Sequence, residues 1–367
     1  MKKIRKLVTS PGLFFRDFFN KRYPYNNTEF IFDETEETII LENIERSESR
    51  MDCSDDPVDA VFTWVDGEDK IWRKKYSSAK DTLGDCYSFF STDEARFSNH
   101  GELYFSVHAV KKLIPWINKI YIVTDGQKPQ WFIDDEQVVI IDHSEIIDSV
   151  YLPTFNSHVI EANLHKIKGL SEQFIYFNDD VFVARPLRKS HFFTFNGLSS
   201  LFVSDKPLKP KNQELKRFHT PTLDASNNSA RLLERNHNYK VRNKLVHTYY
   251  PLTKKMFAIA WSQYEFEINS FLPNKFRGDN DLNLATFLVP WLAYLEGVSV
   301  DRVDICYYFN IRSPHARMQY KKLLEMKRSG HPPHSFCAND FTHVTQSIPY
   351  YREDLQDMLS GYYLDDY

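Results

Sequence analysis

The chain has 367 residues, of which 42% are hydrophobic and 26% are charged, and this composition excludes a disordered chain. Its length predicts one large or two modest domains. The formal net charge of -4 excludes a generally basic nucleic-acid-binding protein. With 11 glycines the chain has neither a P-loop motif nor a G-x-G-x-x-G motif. Four scattered cysteines favour a reducing, cytoplasmic setting over a disulfide framework.

Residues 1–24 form a basic N-terminal segment with seven Lys and Arg residues against one Asp. Ser10 followed by Pro11 predicts the start of an amphipathic helix. One face of that helix would carry Phe14, Phe15, Phe18 and Phe19. This pattern fits a peripheral contact with an anionic membrane surface, and it fits packing on the protein's own core equally well. The sequence has no apolar run long enough to cross a bilayer.

Residues 25–56 have the opposite charge, with eleven Asp and Glu residues and two Arg residues between positions 28 and 56. Residues 30–32 and 38–41, which are mostly apolar, flank an acidic turn and predict a β-hairpin. Residues 47–56 are typical of a solvated linker. We therefore expect the globular body to begin near Pro57.

Short apolar strands alternate with helical segments after Pro57, which predicts an α/β fold with a Rossmann-like, mostly parallel sheet and a helical second portion. The predicted strands are 58–65, 120–124, 138–141 and 174–177, and residues 102–113 form a predicted helix. We divide this body into a core at 57–205, a second portion at 206–345 and a C-terminal helix or tail at 346–367.

Acidic residues follow the predicted strands where ligands bind in open α/β sheets. Asp179 and Asp180 come directly after the strand at 174–177, and Asp66 follows the first strand. Adjacent carboxylates repel each other unless a cation lies between them, so the pair is a candidate ligand set for Mg²⁺ or Mn²⁺. Asn and Asp are also common in turns for backbone reasons, and this alternative stays open.

Two further residues are candidates for phosphate chemistry. Arg277 precedes an apolar segment at 282–295, where its guanidinium could hold two phosphate oxygens, and Asp279 could cap a helix there. His219 lies beside Pro221 and is either a general base or an ordinary packed histidine.

The segment at 331–337 contains His331, His334 and Cys337, which are ligand types that zinc accepts. No fourth ligand completes a tetrahedral set nearby, and two prolines suggest a stiff loop, so we do not expect a zinc site there.

Four segments, in chain order, resemble the four conserved regions of the Stealth family. They cover most of the chain from residue 57 to residue 341: Asp59–Gly67, then Arg96–Phe182, then His219–Pro221 with Phe276–Asp281, and finally Phe336–Asp340. The resemblance implies a GT-A-like nucleotide-sugar-binding core at 57–205, and at 206–345 a portion that completes the catalytic site and binds the acceptor.

The resemblance also implies an activity. Such enzymes transfer a hexose-1-phosphate from a nucleotide sugar to a hydroxyl, and the basic N-terminus favours the branch of bacterial capsule polymerases. The expected donor is a UDP-N-acetylhexosamine such as UDP-N-acetylglucosamine, the acceptor a growing capsular oligosaccharide, and the by-product UMP. The enzyme would be cytoplasmic, peripheral on the inner face of the plasma membrane, and a partner of a capsule assembly complex.

Site residues follow from the resemblance position by position. The catalytic residues would be Asp66, Asp180, His219 and Arg277, with either His219 or Asp66 as the base. Asp179 and Asp180 would bind Mg²⁺ or Mn²⁺. The residues expected to bind the nucleotide sugar are Thr63, Trp64, Arg96, Asn99, Glu102, Asn156, His158 and Asn178.

Two other classes of protein stay open. One is a metal-dependent glycosyltransferase that attacks the anomeric carbon and releases UDP. The other is an anionic-lipid-binding scaffold that uses residues 1–24.

Overall fold

The computed structural model describes residues 11–12, 14–15, 32, 34–42, 55–83, 94–133, 135–208, 220–340 and 347–364. Its strands, in chain order, are β1 Val58–Thr63, β2 Ile120–Thr124, β3 Val138–Asp142, β4 Gln173–Asn178, β5 Val181–Val183, β6 Ser199–Pro207, β7 Asn243–Leu245, β8 Tyr250–Thr253, β9 Ser299–Arg302, β10 Cys306–Asn310 and β11 Ser335–Asn339.

Helices connect these strands. They are α1 Glu34–Glu42, α2 Lys70–Leu83, α3 Glu102–Leu113, α4 His143–Ile146, α5 Ser157–Ala162, α6 Lys189–Phe192, α7 Pro221–His237, α8 Lys254–Gln263, α9 Glu265–Phe271, α10 Val289–Leu295, α11 Ala316–Arg328 and α12 Tyr351–Tyr363. None of the described helices is long and apolar enough to cross a bilayer.

A five-stranded sheet in the order β3-β2-β1-β4-β8 forms the centre of the fold. All neighbouring pairs are parallel except β4 and β8, which are antiparallel. The prediction of a mostly parallel α/β sheet is therefore confirmed. Because parallel strands point the same way, the segments that follow β1 and β4 leave the sheet at one edge.

Alternating side chains bury both faces of the central sheet. Phe62 of β1 and Phe177 of β4 point to one face, where their rings stack with centroids 4.9 Å apart. Val61 and Tyr176 point to the opposite face and belong to a second core. Helices α3 and α12 contribute to the first core, and α8 and α10 contribute to the second.

A three-stranded sheet in the order β10-β11-β5 adjoins the edge where β4 ends. Strand β5 begins at Val181, directly after the acidic pair, and it pairs antiparallel with β11. In that pairing Cys337 lies opposite Val181. A segment near the C-terminus is thereby fixed beside Asp180.

The prediction of a β-hairpin within 25–56 is wrong over the described residues 34–42, which form the helix α1. The buried side chains of Glu37 and Leu41 are four residues apart, so they lie on one helical face. Glu36 and Glu37, near the start of α1, suit the positive end of the helix dipole.

The remaining boundary predictions differ in outcome. The helix at 102–113 and the strand at 120–124 are confirmed. Most of residues 1–24 lie outside the described residues, although Pro11, Gly12, Phe14 and Phe15 are helical. The limits of the proposed domains stay predictions.

Candidate active site

The ends of β1 and β4 lie side by side at the carboxyl edge of the central sheet. Their register pairs Thr63 with Asn178. The Thr63 Oγ1 and Tyr176 OH atoms are hydrogen-bonded at 2.9 Å, and Tyr176 OH donates to Asn178 Oδ1 at 2.8 Å. These two hydrogen bonds fix the end of β4, from which Asp179 and Asp180 extend.

Three carboxyl groups cluster where β4 ends. Burial and the neighbouring Asp180 charge raise the pKa of Asp179 to about 8. Burial, followed by the charges of Asp179 and Asp180, raises the pKa of Glu102 to about 8 as well. Glu102 reaches this cluster because α3 packs beside β5, where Ser106 Oγ donates to the Val181 carbonyl at 2.6 Å.

This cluster fits a hard divalent cation. Its donors are carboxylate oxygens, which Mg²⁺ and Mn²⁺ prefer. Burial and the repulsion between neighbouring carboxylates together raise two of the pKa values, and a bound cation would relieve that repulsion. Asp180 Oδ1 is buried and has no hydrogen-bond partner among the described residues, so it is available to a metal. Asp179 and Asp180, which we predicted as metal ligands, would be joined there by Glu102.

The end of β11 holds the acidic pair in place. Asn339 Nδ2 donates to Asp180 Oδ2 at 2.8 Å. The next residue, Asp340, accepts from Arg312 Nη2 and lies 2.8 Å from His100 Nε2. Because the His100 backbone N–H donates to Glu102 Oε2 at 2.7 Å, this network connects Asp180 with Glu102. The segment that resembles the fourth Stealth region therefore positions the acids.

Arg277 is partly buried, and hydroxyl groups hold its guanidinium. Its Nη1 donates to Thr222 Oγ1 at 2.7 Å, and its Nη2 donates to Ser157 Oγ at 2.6 Å. Burial lowers the pKa of Arg277, while the nearby groups Glu161, Asp281 and Tyr176 oppose that shift. Tyr176 also interacts electrostatically with Asp179. Arg277 therefore lies on the same side of the molecule as the acids at the end of β4.

Asp281 orients the loop that carries Arg277. Asp281 Oδ2 accepts from Asn156 Nδ2 at 2.9 Å and lies 2.8 Å from His158 Nδ1. Asn156 also donates to the Phe276 carbonyl, and its Oδ1 caps α5 by accepting from the His158 backbone N–H. Both Asn156 and His158 are buried, so their contacts in the structure position Arg277. Asp279 does not cap the following helical segment, whose N-cap is Asn283.

Glu161 is a site residue that sequence reasoning did not select. It is buried on α5, and burial raises its pKa, while the charges of His158 and Arg277 oppose the shift. Its Oε2 atom has no hydrogen-bond partner among the described residues. Glu161 belongs to the segment that resembles the second Stealth region, but a lone Glu within a short helix carries no chemical signal by itself.

Asp66 lies in a turn after β1. Its Oδ1 accepts from the Glu68 backbone N–H at 3.0 Å, and its own N–H donates to Gln127 Oε1 at 3.0 Å. Gly67 is required in this turn, since an added Cβ would meet the Phe97 carbonyl oxygen at 2.2 Å. The structure gives Asp66 a turn-forming role and leaves its assignment as the base a prediction.

The other predicted site residues are placed as follows. Trp64 is buried, and its backbone N–H donates to the Val123 carbonyl. Asn99 Oδ1 accepts from the Gly101 N–H at the start of α3. Arg96 lies in the 3₁₀ turn Glu94–Phe97. His219 lies outside the described residues, and Thr222, three positions later, is one of the two residues whose hydroxyl groups accept from Arg277.

An α/β fold with a carboxylate cluster and a partly buried arginine near the carboxyl edge of its sheet is typical of enzymes that act on anionic substrates. The sequence models of "Stealth protein CR1, conserved region 1" and "Stealth protein CR2, conserved region 2" match residues 56–84 and 96–201. The chain is 52% identical to "Capsular polysaccharide phosphotransferase LcbA" of Neisseria meningitidis over 99% of this chain and 100% of that protein. It is 50% identical to "Capsular polysaccharide phosphotransferase" of Actinobacillus suis over 99% of this chain and 98% of that protein. The chain therefore belongs to the Stealth family of phosphotransferases, as predicted.

Two glycosyltransferases of known structure share a distant likeness with the chain. The galactosyltransferase LgtC in complex with donor and acceptor sugar analogs aligns with a TM-score of 0.36 and 9% identity, over 84% of this chain and 97% of that one. The bifunctional glycosyltransferase WbbM aligns with a TM-score of 0.37 and 9% identity, over 85% of this chain and 51% of that one. No site residue is transferred from these structures.

Proposed function

We propose that the chain is a capsular polysaccharide phosphotransferase that transfers N-acetylhexosamine-1-phosphate from a UDP-sugar to a hydroxyl of a growing capsular oligosaccharide. The observation that supports this most directly is that the Asp179, Asp180 and Glu102 cluster and the partly buried Arg277 lie near the same edge of the sheet. A pyrophosphate donor needs cationic groups on its phosphates, and this edge offers both an arginine and a set of metal ligands.

The proposed reaction is a displacement at phosphorus. The acceptor hydroxyl oxygen forms a bond to the phosphorus that bears the sugar, and the bond from that phosphorus to the bridging oxygen breaks. UMP leaves with the bridging oxygen and its electron pair, and the hydroxyl proton passes to a base. The product is a phosphodiester between the sugar and the acceptor.

Arg277 is suited to binding phosphate oxygens in this reaction. Two hydroxyl groups already hold its guanidinium in one orientation, so little side-chain freedom is lost when substrate binds. Glu161 and Asp281 balance its charge from the protein side. We propose His219 or Asp66 as the base that accepts the proton.

Asp179, Asp180 and Glu102 would hold Mg²⁺ or Mn²⁺, which when bound would neutralise the charge that develops on the pyrophosphate. Without a cation, Asp179 and Glu102 favour their protonated forms near neutral pH because their pKa values are about 8. Neutral carboxyl groups supply no positive charge to the pyrophosphate, so we expect the metal-free protein to bind the nucleotide sugar more weakly than the metal-loaded protein.

The test is product analysis. The full chain is incubated with UDP-N-acetylglucosamine and other UDP-sugars, Mg²⁺ and an oligosaccharide primer, and the nucleotides are separated by chromatography. We expect UMP in equal amount to the phosphodiester detected by mass spectrometry. UDP as the released nucleotide would contradict the proposal and identify a glycosyltransferase. An Asp180→Asn variant that retains full turnover would show that the acid cluster is not the site.

A further inference from the structure

Three side chains that could bind a softer metal lie together beside the acid cluster. One ligand atom each from Asp180, His247 and Cys337 lies within 4.8 Å of the other two. Cys337 Sγ lies 3.4 Å from Asp180 Oδ2. Cys337 belongs to the segment at 331–337 that the sequence singled out. The other two candidate ligands of that segment lie apart from it, since His334 Nδ1 accepts from the Ile305 N–H and His331 is exposed.

The fold fixes the position of each of the three groups. Asp180 connects β4 to β5, and Cys337 on β11 pairs with the first residue of β5. His247 precedes β8, and its carbonyl accepts from Cys306 Sγ at 3.4 Å. The His247 ring packs edge-on against Tyr308, with centroids 5.4 Å apart, and Tyr308 is the β10 residue that pairs with Cys337. The cluster is therefore built on paired strands.

The donor set differs in chemistry from the carboxylate cluster. Mg²⁺ prefers oxygen ligands, whereas Zn²⁺ binds thiolate, imidazole and carboxylate donors at about 2.0–2.3 Å. Two such donors on one tetrahedral ion lie roughly 3.5 Å apart, so small side-chain movements would bring these three groups into range. One Asp and one thiolate would neutralise the ion's charge, which favours binding in a partly buried place.

We propose that Asp180, His247 and Cys337 bind a thiophilic divalent cation, with Zn²⁺ as the test case, at a site that shares Asp180 with the acid cluster. Binding converts the Cys337 thiol to a thiolate and releases its proton to solvent. Three protein ligands leave a fourth position open to water. Since Asp180 is a ligand in both sites, bound Zn²⁺ prevents Asp180 from binding Mg²⁺ and so inhibits transfer of the sugar phosphate. This inhibition rests on the proposed function, whereas the binding does not.

Cobalt(II) is the spectroscopic probe for the site. The full chain, freed of metals, is titrated with Co²⁺ while the near-ultraviolet absorption of a cobalt–thiolate bond is recorded. We expect this absorption in the wild type and in Cys306→Ser, which removes another buried thiol of the same sheet, and its loss in Cys337→Ser. No such absorption in the wild type, or its persistence in Cys337→Ser, would overturn the proposal.

Zn²⁺ affinity gives a second readout that does not need activity. Calorimetry should show at least about a tenfold weaker Zn²⁺ affinity in Cys337→Ser and in His247→Ala than in Cys306→Ser. His247 is partly exposed, so His247→Ala keeps the test valid if Cys337→Ser does not fold. Unchanged Zn²⁺ affinity in His247→Ala would overturn the proposal.

The inhibition is tested with UDP-sugar turnover in Mg²⁺. We expect Zn²⁺ to inhibit the wild type and Cys306→Ser, and to inhibit Cys337→Ser only at concentrations at least about tenfold higher. Equal inhibition of all three would overturn competition at Asp180. A chain that shows the cobalt–thiolate absorption but no phosphotransfer would retain the metal site and reject the proposed function.

Discussion

Asp179→Asn should stabilise the metal-free protein at pH 8 while it destroys activity. The pKa of Asp179 is about 8 in the folded protein, against an ordinary value of 3.8. Between these two values the folded state keeps a proton that the unfolded state has lost, so the free energy of unfolding falls as pH rises. An asparagine does not titrate, so the free energy of unfolding of the Asp179→Asn variant does not fall with pH for this reason.

The size of the effect follows from the shift. One pKa unit corresponds to about 1.4 kcal/mol, so roughly four units set an upper limit of ~6 kcal/mol. Solvent screens part of this because Asp179 is only half-buried, and we expect a gain of about 1–3 kcal/mol at pH 8. Below about pH 3, under the ordinary value of 3.8, both states hold the proton and the gain should disappear. Glu102 titrates in the same direction, so the variant should retain part of the wild-type pH dependence.

The assay is urea unfolding at several pH values, with EDTA or with Mg²⁺. A ligand at 100 times its Kd stabilises the folded state by about 2.7 kcal/mol, so Mg²⁺ should stabilise the wild type at pH 8 and stabilise Asp179→Asn far less. Glu325→Gln, in an exposed ion pair with Lys321, is the control and should change stability by less than about 0.5 kcal/mol. The reasoning is refuted if Asp179→Asn is less stable than the wild type at pH 8, or if their difference does not depend on pH.

Three further changes test the neighbouring parts of the site. Arg277→Lys keeps the charge but loses the planar guanidinium that Ser157 and Thr222 hold, so we expect kcat to fall about 10- to 100-fold. The circular dichroism spectrum of the variant should stay normal. Near-wild-type turnover would show that a point charge suffices. His219→Gln should lower turnover on the order of 10²–10⁴ and weaken the acidic limb of the pH–rate profile, whereas a loss of only a few-fold would transfer the role of base to Asp66. Gly67→Ala places a Cβ 2.2 Å from the Phe97 carbonyl oxygen and should lower the free energy of unfolding by about 1–3 kcal/mol in urea titrations; unchanged stability would show that this turn shifts freely.

The sheet edge could be predicted from the sequence because apolar runs, and the Asp or Asn residues that end them, are local features of the chain. Apolar strands that end in Asp or Asn gave β1 and β4 nearly to their ends, and the parallel register then placed Asp66 and Asn178 at one edge. The helix predicted at 102–113 has the same bounds in the structure. In contrast, α1 was predicted as part of a hairpin, because a four-residue apolar run does not distinguish a strand from a helix.

Long-range contacts account for the rest of the site. Asn339 binds Asp180 across 159 positions, and no local pattern in either segment reveals that bond. Asp281, not Asp279, orients the Arg277 loop, because only the folded chain brings Asn156 and His158 to it. Glu161 is notable because the folded chain brings the charges of His158 and Arg277 close to it, and the sequence does not show those contacts.

A UDP-sugar labelled with ³²P at the phosphorus next to the sugar tests the central claim most directly. Attack at phosphorus carries that atom into the product, whereas attack at the anomeric carbon leaves it on the nucleotide. We predict that the label enters the oligosaccharide, is resistant to phosphatase as a phosphodiester, and is absent from the released nucleotide. Label recovered in UDP, with an unlabelled glycan product, would contradict phosphotransfer by this site.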